Sequence, residues 1–340
     1  MGGTQMHGPY APFFEEDGVE RCRGTDIDVR ALVAGLPSGV KDGLRYREVP
    51  WSRFCGPYGT ADEVPDHLDA LRSDGEAADR GLRGLDSDLW HQGGTYAPAA
   101  LAAPFLVRIA AGSARRRAEI LWMLGATARR PHFGDGSRAG LLQTTSPGGM
   151  YDTHGYPAHW TVEAVRGVLA ADASLLLPLL DDPVPEVRRA SCYVLAAAAT
   201  APGISAALRD RLAVEDVPEV RASLVPAIAQ RARDHHDPRS AAAWARTLWA
   251  DPGRPAEIRV SAAVAWLALV DDPVPGALLE ALADTVTGDV ARVMDAVPWI
   301  RDVDAGGAGL SRCLVQMLGT DARDVLGIDA APWPGGDPFA

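Results

Sequence analysis

A stretch that begins at Asp181, DDPVPEVRRASCYVLAAAA, returns in altered form at Val214 as VEDVPEVRASLVPAIAQRA and at Pro252 as PGRPAEIRVSAAVAWLALV. Aligning the shared Glu-x-Arg core places Glu186, Glu219 and Glu257 in register, spaced by 33 and 38 residues. A fourth, decayed copy opens at Asp271 with DDPVPGALLEALADTV, and upstream Arg117 aligns with Arg189, 72 residues further on. Periods of this length belong to repeat architectures, in which one supersecondary unit stacks on its neighbours.

The physics of one unit is readable. Asp182 and Asp216 stand just before a helix, where a carboxylate accepts from unpaired backbone amides. Pro185 and Pro218 fall in the first turn, where a missing N–H costs nothing. Beyond them, Val187, Ala190, Ser191, Val194 and Leu195 share one face at helical spacing. Val220, Leu224, Ala227 and Ile228 repeat that stripe, and so do Ile258, Ala262, Ala265 and Trp266. A preceding apolar helix such as ASLLLPLL completes a hairpin. One hairpin cannot bury its face alone, so the copies must stack. The predicted fold class is all-α, a right-handed α-solenoid of helical hairpins from about Ala61 to Leu318. Residues 1–45 are expected as an irregular N-terminal extension and 46–320 as the solenoid. An insertion loop occupies 130–160, and 321–340 is expected as a disordered tail.

The Asp-x-Pro-x-Val-Arg turn and the two helix lengths resemble the HEAT-repeat family over roughly residues 175–286. Arg188, Arg221 and Arg259 then line up along the stack, and with Asp182 and Asp216 they are expected to form a structural Asp–Arg ladder between copies. A basic recognition stripe is the competing reading. A longer signature precedes the repeats: Trp51, Tyr58, Gly59, Val64 and Pro65, then His91, Gln92, Gly93 and Tyr96, then Pro104, Phe105 and Leu106. It resembles the N-terminal part of a group of HEAT-repeat proteins common in actinobacteria. The resemblance implies the fold and carries over no catalytic residue.

The corner DLWHQGGTYAP, Asp88 to Pro98, gathers an indole, an imidazole, an amide and a phenol between Ala/Leu-rich segments. As a helix-to-helix corner it has Gly93 and Gly94 to end one helix and Thr95 to cap the next. Trp90 and Tyr96 are then core anchors. As a site, His91, Gln92 and Tyr96 face a pocket; Trp51 and Tyr58, which the family resemblance places near the start of the array, are further binding candidates. The insertion RRPHFGDGSRAGLLQTTSPGGMYDTHGYPAHW, Arg130 to Trp160, supplies Asp152 and His154 as its opposite wall. A solvated, partly mobile loop is the plainer reading of this segment. RDHHDPRS, from Arg233, reads as a turn with Asp237 as a cap.

Composition bounds the functions. Apolar residues are 47% of the 340, enough for a substantial core, and no apolar run is long enough to span a membrane. The net charge of −12 argues against a general grip on nucleic acid and favours a basic partner. The four cysteines show no CxxC spacing, so neither a disulfide framework nor a zinc site is expected, and a reduced cytoplasm fits. No diagnostic metal or cofactor motif occurs, so no metal and no cofactor are expected. The leading reading is a non-catalytic scaffold whose concave face binds a protein or peptide, in an inhibitory, immunity-like or regulatory role. The alternative is an enzyme on the same scaffold. It would be DNA glycosylase-like or act on a small molecule, using a pocket of His91, Tyr96, Asp152 and His154.

Overall fold

The computed structural model describes residues 27–91, 93–112, 115–131, 137–146, 149–303 and 309–327. Its fold is all-α and of the helical-repeat class. Strand among the described residues is confined to two hairpins of two-residue strands and one isolated bridge, Tyr151 to Pro157. The chain divides into two compact units. The first comprises Met1–Pro131, Thr144–Asp182 and Ala197–Ile204; the second comprises His132–Gln143, Pro183–Ala196 and Ser205–Ala340.

In the first unit the Ala97–Ala111 helix is the centre. Its sequence, APAALAAPFLVRIAA, is apolar on every side, and nearly every residue is buried. A helix with no polar face must be covered all round. The Val29–Ala34, Arg117–Thr127 and Ala158–Ala171 helices pack against it. The first of these corrects the reading of 1–45 as irregular: Val29–Ala34 and Ser38–Asp42 are helical, with Val29, Val33 and Val40 buried. Asp28 caps the first, accepting from the Arg30 amide at 2.9 Å. The short length of these helices, six and five residues, hides them from any periodicity test.

The second unit holds the repeats. The Pro218–Asp234, Pro238–Trp249 and Ala256–Leu269 helices pack on one another in sequence order. Pro218 lies in the first turn, as the spacing predicts. Asp237 accepts from the Ser240 amide at 3.3 Å, as expected of a cap. Asp216 does not cap its helix. The capping position is Val217, and Glu215 Oε1 accepts from the Asp216 and Val217 amides at 3.1 and 3.0 Å. Glutamate's longer side chain reaches forward over these amides, a contact that the Asp-centred pattern does not anticipate.

The arginine ladder differs from the expected Asp–Arg one in the same way. Arg188 makes a two-pronged contact with Glu215, Nε to Oε2 and an Nη to Oε1, both at 2.9 Å. Arg221 pairs with Glu257 at 2.6 Å. Glu215 lies in the turn just before the Pro218–Asp234 helix and Glu257 in the first turn of the Ala256–Leu269 helix, so each pair ties one copy to the next. Arg259 departs from the series: its Nε donates to the Trp249 carbonyl at 3.3 Å rather than to a carboxylate. Asp182 is bonded to Arg117 within the first unit. Arg188 and Arg221 thus direct their guanidinium groups to carboxylates of the stack. Arg221→Ala should therefore lower stability by about 1–3 kcal/mol, because the partner carboxylate is mostly buried. Chemical denaturation with an unshifted midpoint would refute this.

Two further expectations change. Cys55 is disulfide-bonded, where the cysteine spacing suggests no disulfide framework, while Cys192 and Cys313 are free and buried. The tail assigned to 321–340 is helical over Ala322–Leu326, and 328–340 lie outside the described residues.

Candidate functional site

The conspicuous residues of the N-terminal half meet in the first unit around two tight hairpins. Strand β1 (Cys55–Gly56) pairs with β2 (Gly59–Thr60), and β3 (Trp90–His91) pairs with β4 (Gly94–Thr95). The HQGGTY segment is therefore a reverse hairpin between helices, not a plain helix end. Gly93, at φ +81°, occupies the left-handed region that such a turn requires. Gly94 keeps φ out of that region. Thr95 does not cap the next helix: the capping position is Tyr96, whose side chain makes no capping hydrogen bond. Gln92 lies outside the described residues.

The hairpins touch through backbone. A Cβ on Gly56 would sit 2.8 Å from the Asp88 carbonyl oxygen, so only glycine allows β1 to lie this close to the end of the Glu76–Leu89 helix. That approach brings Tyr58, in the β1–β2 turn, to His91 at the end of β3. The phenol oxygen and His91 Nδ1 are 3.1 Å apart, and the rings meet edge to face at 5.2 Å. Tyr58 is nevertheless 66% exposed. It is an aromatic ring held out to solvent in a fixed orientation.

The segment 149–157 supplies the adjoining surface, and it is folded rather than loose. Asp152 Oδ1 accepts from the His154 and Tyr156 amides at 2.8 and 2.9 Å, a local turn built by the side chain. The Asp152 amide donates to the Tyr156 carbonyl at 2.9 Å, and Gly155 sits at φ +78°. The turn aims His154 at β1, where Nε2 donates to the Gly56 carbonyl at 3.0 Å. Tyr96 is buried, and its hydroxyl lies 3.2 Å from Thr153 Oγ1, with its ring 6.2 Å from that of His154. Burial raises the Tyr96 phenol above its ordinary range. Burial likewise raises the Asp152 carboxyl, against the Tyr156 and His154 amides, which lower it.

Tyr156 locks this loop to the core. Its hydroxyl accepts from the Val29 amide at 3.1 Å and donates to the Ile27 carbonyl at 2.7 Å. Burial pushes the phenol up to about 12, so it stays a neutral donor at all ordinary pH. Tyr156→Phe leaves the Val29 amide unsatisfied and should cost about 1–3 kcal/mol. An unchanged denaturation midpoint would show that the tie is dispensable.

The structure thus brings together Tyr58, His91, Tyr96, Asp152 and His154. It does not bring Trp51 to this surface. That indole is 4% exposed and donates to the Tyr46 carbonyl at 2.7 Å, a core position. Of the other ionisable residues of the 130–160 segment, His132 and Asp135 lie outside the described residues, and His159 accepts at Nδ1 from the Met150 amide at 3.3 Å. Sequence reasoning passed over Gly56 and Thr153. The Asp-x-His-x-Tyr spacing of a side-chain turn was the available signal for Thr153, and nothing local marks Gly56.

Chemically, the arrangement is suited to contact. Asp152 Oδ1 is taken by two backbone amides, and the described hydrogen bonds of His91 and His154 go to a phenol and a carbonyl. Among the described residues no three His, Cys, Asp or Glu side chains converge as a metal site. No helix among them is long and apolar enough to cross a membrane.

No protein-family model matches the chain, and no curated protein matches it. Among solved structures, a designed armadillo repeat protein in complex with the peptide (KR)4 is similar, at 16% identity and a TM-score of 0.34. The match covers 75% of this chain and all of that one.

Proposed function

We propose that this protein is a non-catalytic binding scaffold that contacts a protein or peptide partner through the Tyr58–His91 corner of its first unit. The observation that carries the reading is Tyr58 itself, 66% exposed and yet hydrogen-bonded and edge-stacked on His91. A solvent-facing tyrosine normally keeps its rotamer freedom. Fixing it beforehand removes the ordering cost that binding would otherwise incur. Tyrosine is also enriched among the residues that dominate interfaces. His154 and Thr153 widen the same surface.

The partner is proposed to be basic, from the net charge of −12. An inhibitory or regulatory role, of the immunity type, fits a scaffold that covers a basic target. We read the repeats as HEAT-type on their Asp-x-Pro-x-Val-Arg turns. The Cys55 disulfide fits an oxidising compartment better than the reduced cytoplasm that the cysteine spacing suggests. The scaffold reading gives Asp152 a structural task, since its Oδ1 holds the loop that positions His154.

The test is capture on immobilised protein from native extract, with wild type and Tyr58→Ala side by side. A species retained by the first and lost by the second, and eluted by moderate salt, supports the reading. Retention of the same species by both removes the corner from the interface.

A further inference from the structure

In the second unit the Pro185–Ala197 and Pro218–Asp234 helices each bury a polar side chain completely, Tyr193 and Gln230. A face that needed only a core would carry aliphatic residues there, as adjacent Val194 and Ala229 do, since buried polar groups must find partners. Here one short segment supplies a partner to each. Trp299 Nε1 donates to Gln230 Oε1 at 2.9 Å, and the same amide donates from Nε2 to the Ala196 carbonyl at 2.8 Å. The glutamine is therefore fixed from behind, with its acceptor oxygen facing the indole. The Trp299 ring meets Tyr193 edge-on at 4.8 Å, and the Tyr193 hydroxyl donates to the Asp302 carboxylate. Trp299 is 0% exposed.

This segment does not prolong the stack. The Gly288–Asp295 helix just before it packs on both the Pro218–Asp234 and the Ala256–Leu269 helices. A further repeat added in order would touch its neighbour alone. The chain instead turns back and lies across successive copies, and reads them by side-chain contacts.

We propose that the Tyr193/Gln230 face is a recognition site for a Trp-x-x-Asp peptide segment. In this chain it is filled by residues 299–302, so a partner carrying such a segment binds there only in exchange for them. Gln230 reads the indole N–H, Tyr193 packs its edge, and the Tyr193 hydroxyl reads the carboxylate three residues on. The site uses residues of the second unit only and does not rest on the Tyr58–His91 corner.

The test is fluorescence anisotropy with a labelled peptide of residues 296–303, AVPWIRDV, added to the full chain. Wild type should show no saturable binding, because its own segment holds the site. Trp299→Ala, which loses the anchor, should bind the peptide saturably. A peptide with Trp replaced by Ala should not bind, and adding Tyr193→Phe should weaken binding about tenfold. A folded Trp299→Ala chain that fails to bind overturns the proposal, as does wild type binding as tightly as the variant. Where Trp299→Ala does not fold, Asp302→Asn substitutes, with amide exchange as the readout. Exchange over 298–302 should then quicken while the Pro218–Asp234 helix stays protected. Equal loss of protection in both means the segment is ordinary core, and the proposal fails.

Discussion

Arg188→Ala should be the most destabilising of the single changes in the repeat, lowering stability by about 3–5 kcal/mol. The reason lies in what remains behind. The Glu215 side chain is fully buried, and its two oxygens accept from Arg188, from Arg211 and from two backbone amides. Removing Arg188 leaves a buried carboxylate with one guanidinium where it had two. Arg221→Ala should cost less, since the Arg221 side chain is 24% exposed and Glu257 10%, which lets water replace part of the contact. Equal losses for the two variants would show that burial of the partner does not set the cost.

The same carboxylate predicts an acid dependence. Burial pushes Glu215 up, but the Arg188 guanidinium, the Val217 amide and the Arg211 guanidinium outweigh it and hold it at about 2. Its pKa is thus depressed on folding, from an ordinary value of 4.5. The stabilisation is complete above the ordinary value and is lost as pH falls from there through about 2. Glu215→Gln should flatten the pH dependence of stability over that interval and leave the behaviour at neutral pH parallel.

How much of this was legible beforehand follows from the range of the interactions. The repeat helices were legible because Val220, Leu224 and Ala227 recur at helical spacing and Pro218 marks a first turn. The identity of the ladder carboxylates was not, because it depends on reach. Glu215 precedes the more conspicuous Asp216 by one residue, and only the folded backbone shows which side chain spans the amides. The site was legible as a set of unusual residues in two segments about 60 positions apart. What joins them was not. His154 is held by the carbonyl of Gly56, and the Tyr58–His91 contact exists because β1 approaches the Asp88 carbonyl. Such contacts are made by backbone atoms that every residue carries, so they leave no mark on side-chain pattern. Trp51 shows the opposite error: its family resemblance suggested a surface role, while its indole fills the core. Trp299 was unmarked for a related reason. The decayed fourth copy suggested a stack that simply continues, and only the fold shows the chain returning across it.

The second large effect concerns binding. Tyr58→Ala removes a ring that is 66% exposed, so few native contacts are lost and stability should change by no more than about 0.5 kcal/mol. If the ring is an interface anchor, its truncation should cost about 2–4 kcal/mol of binding, roughly thirtyfold to a thousandfold in Kd. His91→Ala should cost less than Tyr58→Ala, because it frees the ring without removing it, and the loss is then an ordering penalty alone. Tyr96 is the control. Tyr96→Phe removes a hydroxyl near Thr153 on a buried ring and should change binding only in proportion to any loss of stability.

The most direct measurement is therefore a titration of the captured partner into wild type and Tyr58→Ala, with the thermal midpoint of each recorded on the same samples. Binding by the corner predicts a Kd raised by at least about thirtyfold with the midpoint unmoved. An unchanged Kd, or a loss of binding that tracks a fallen midpoint, would contradict it.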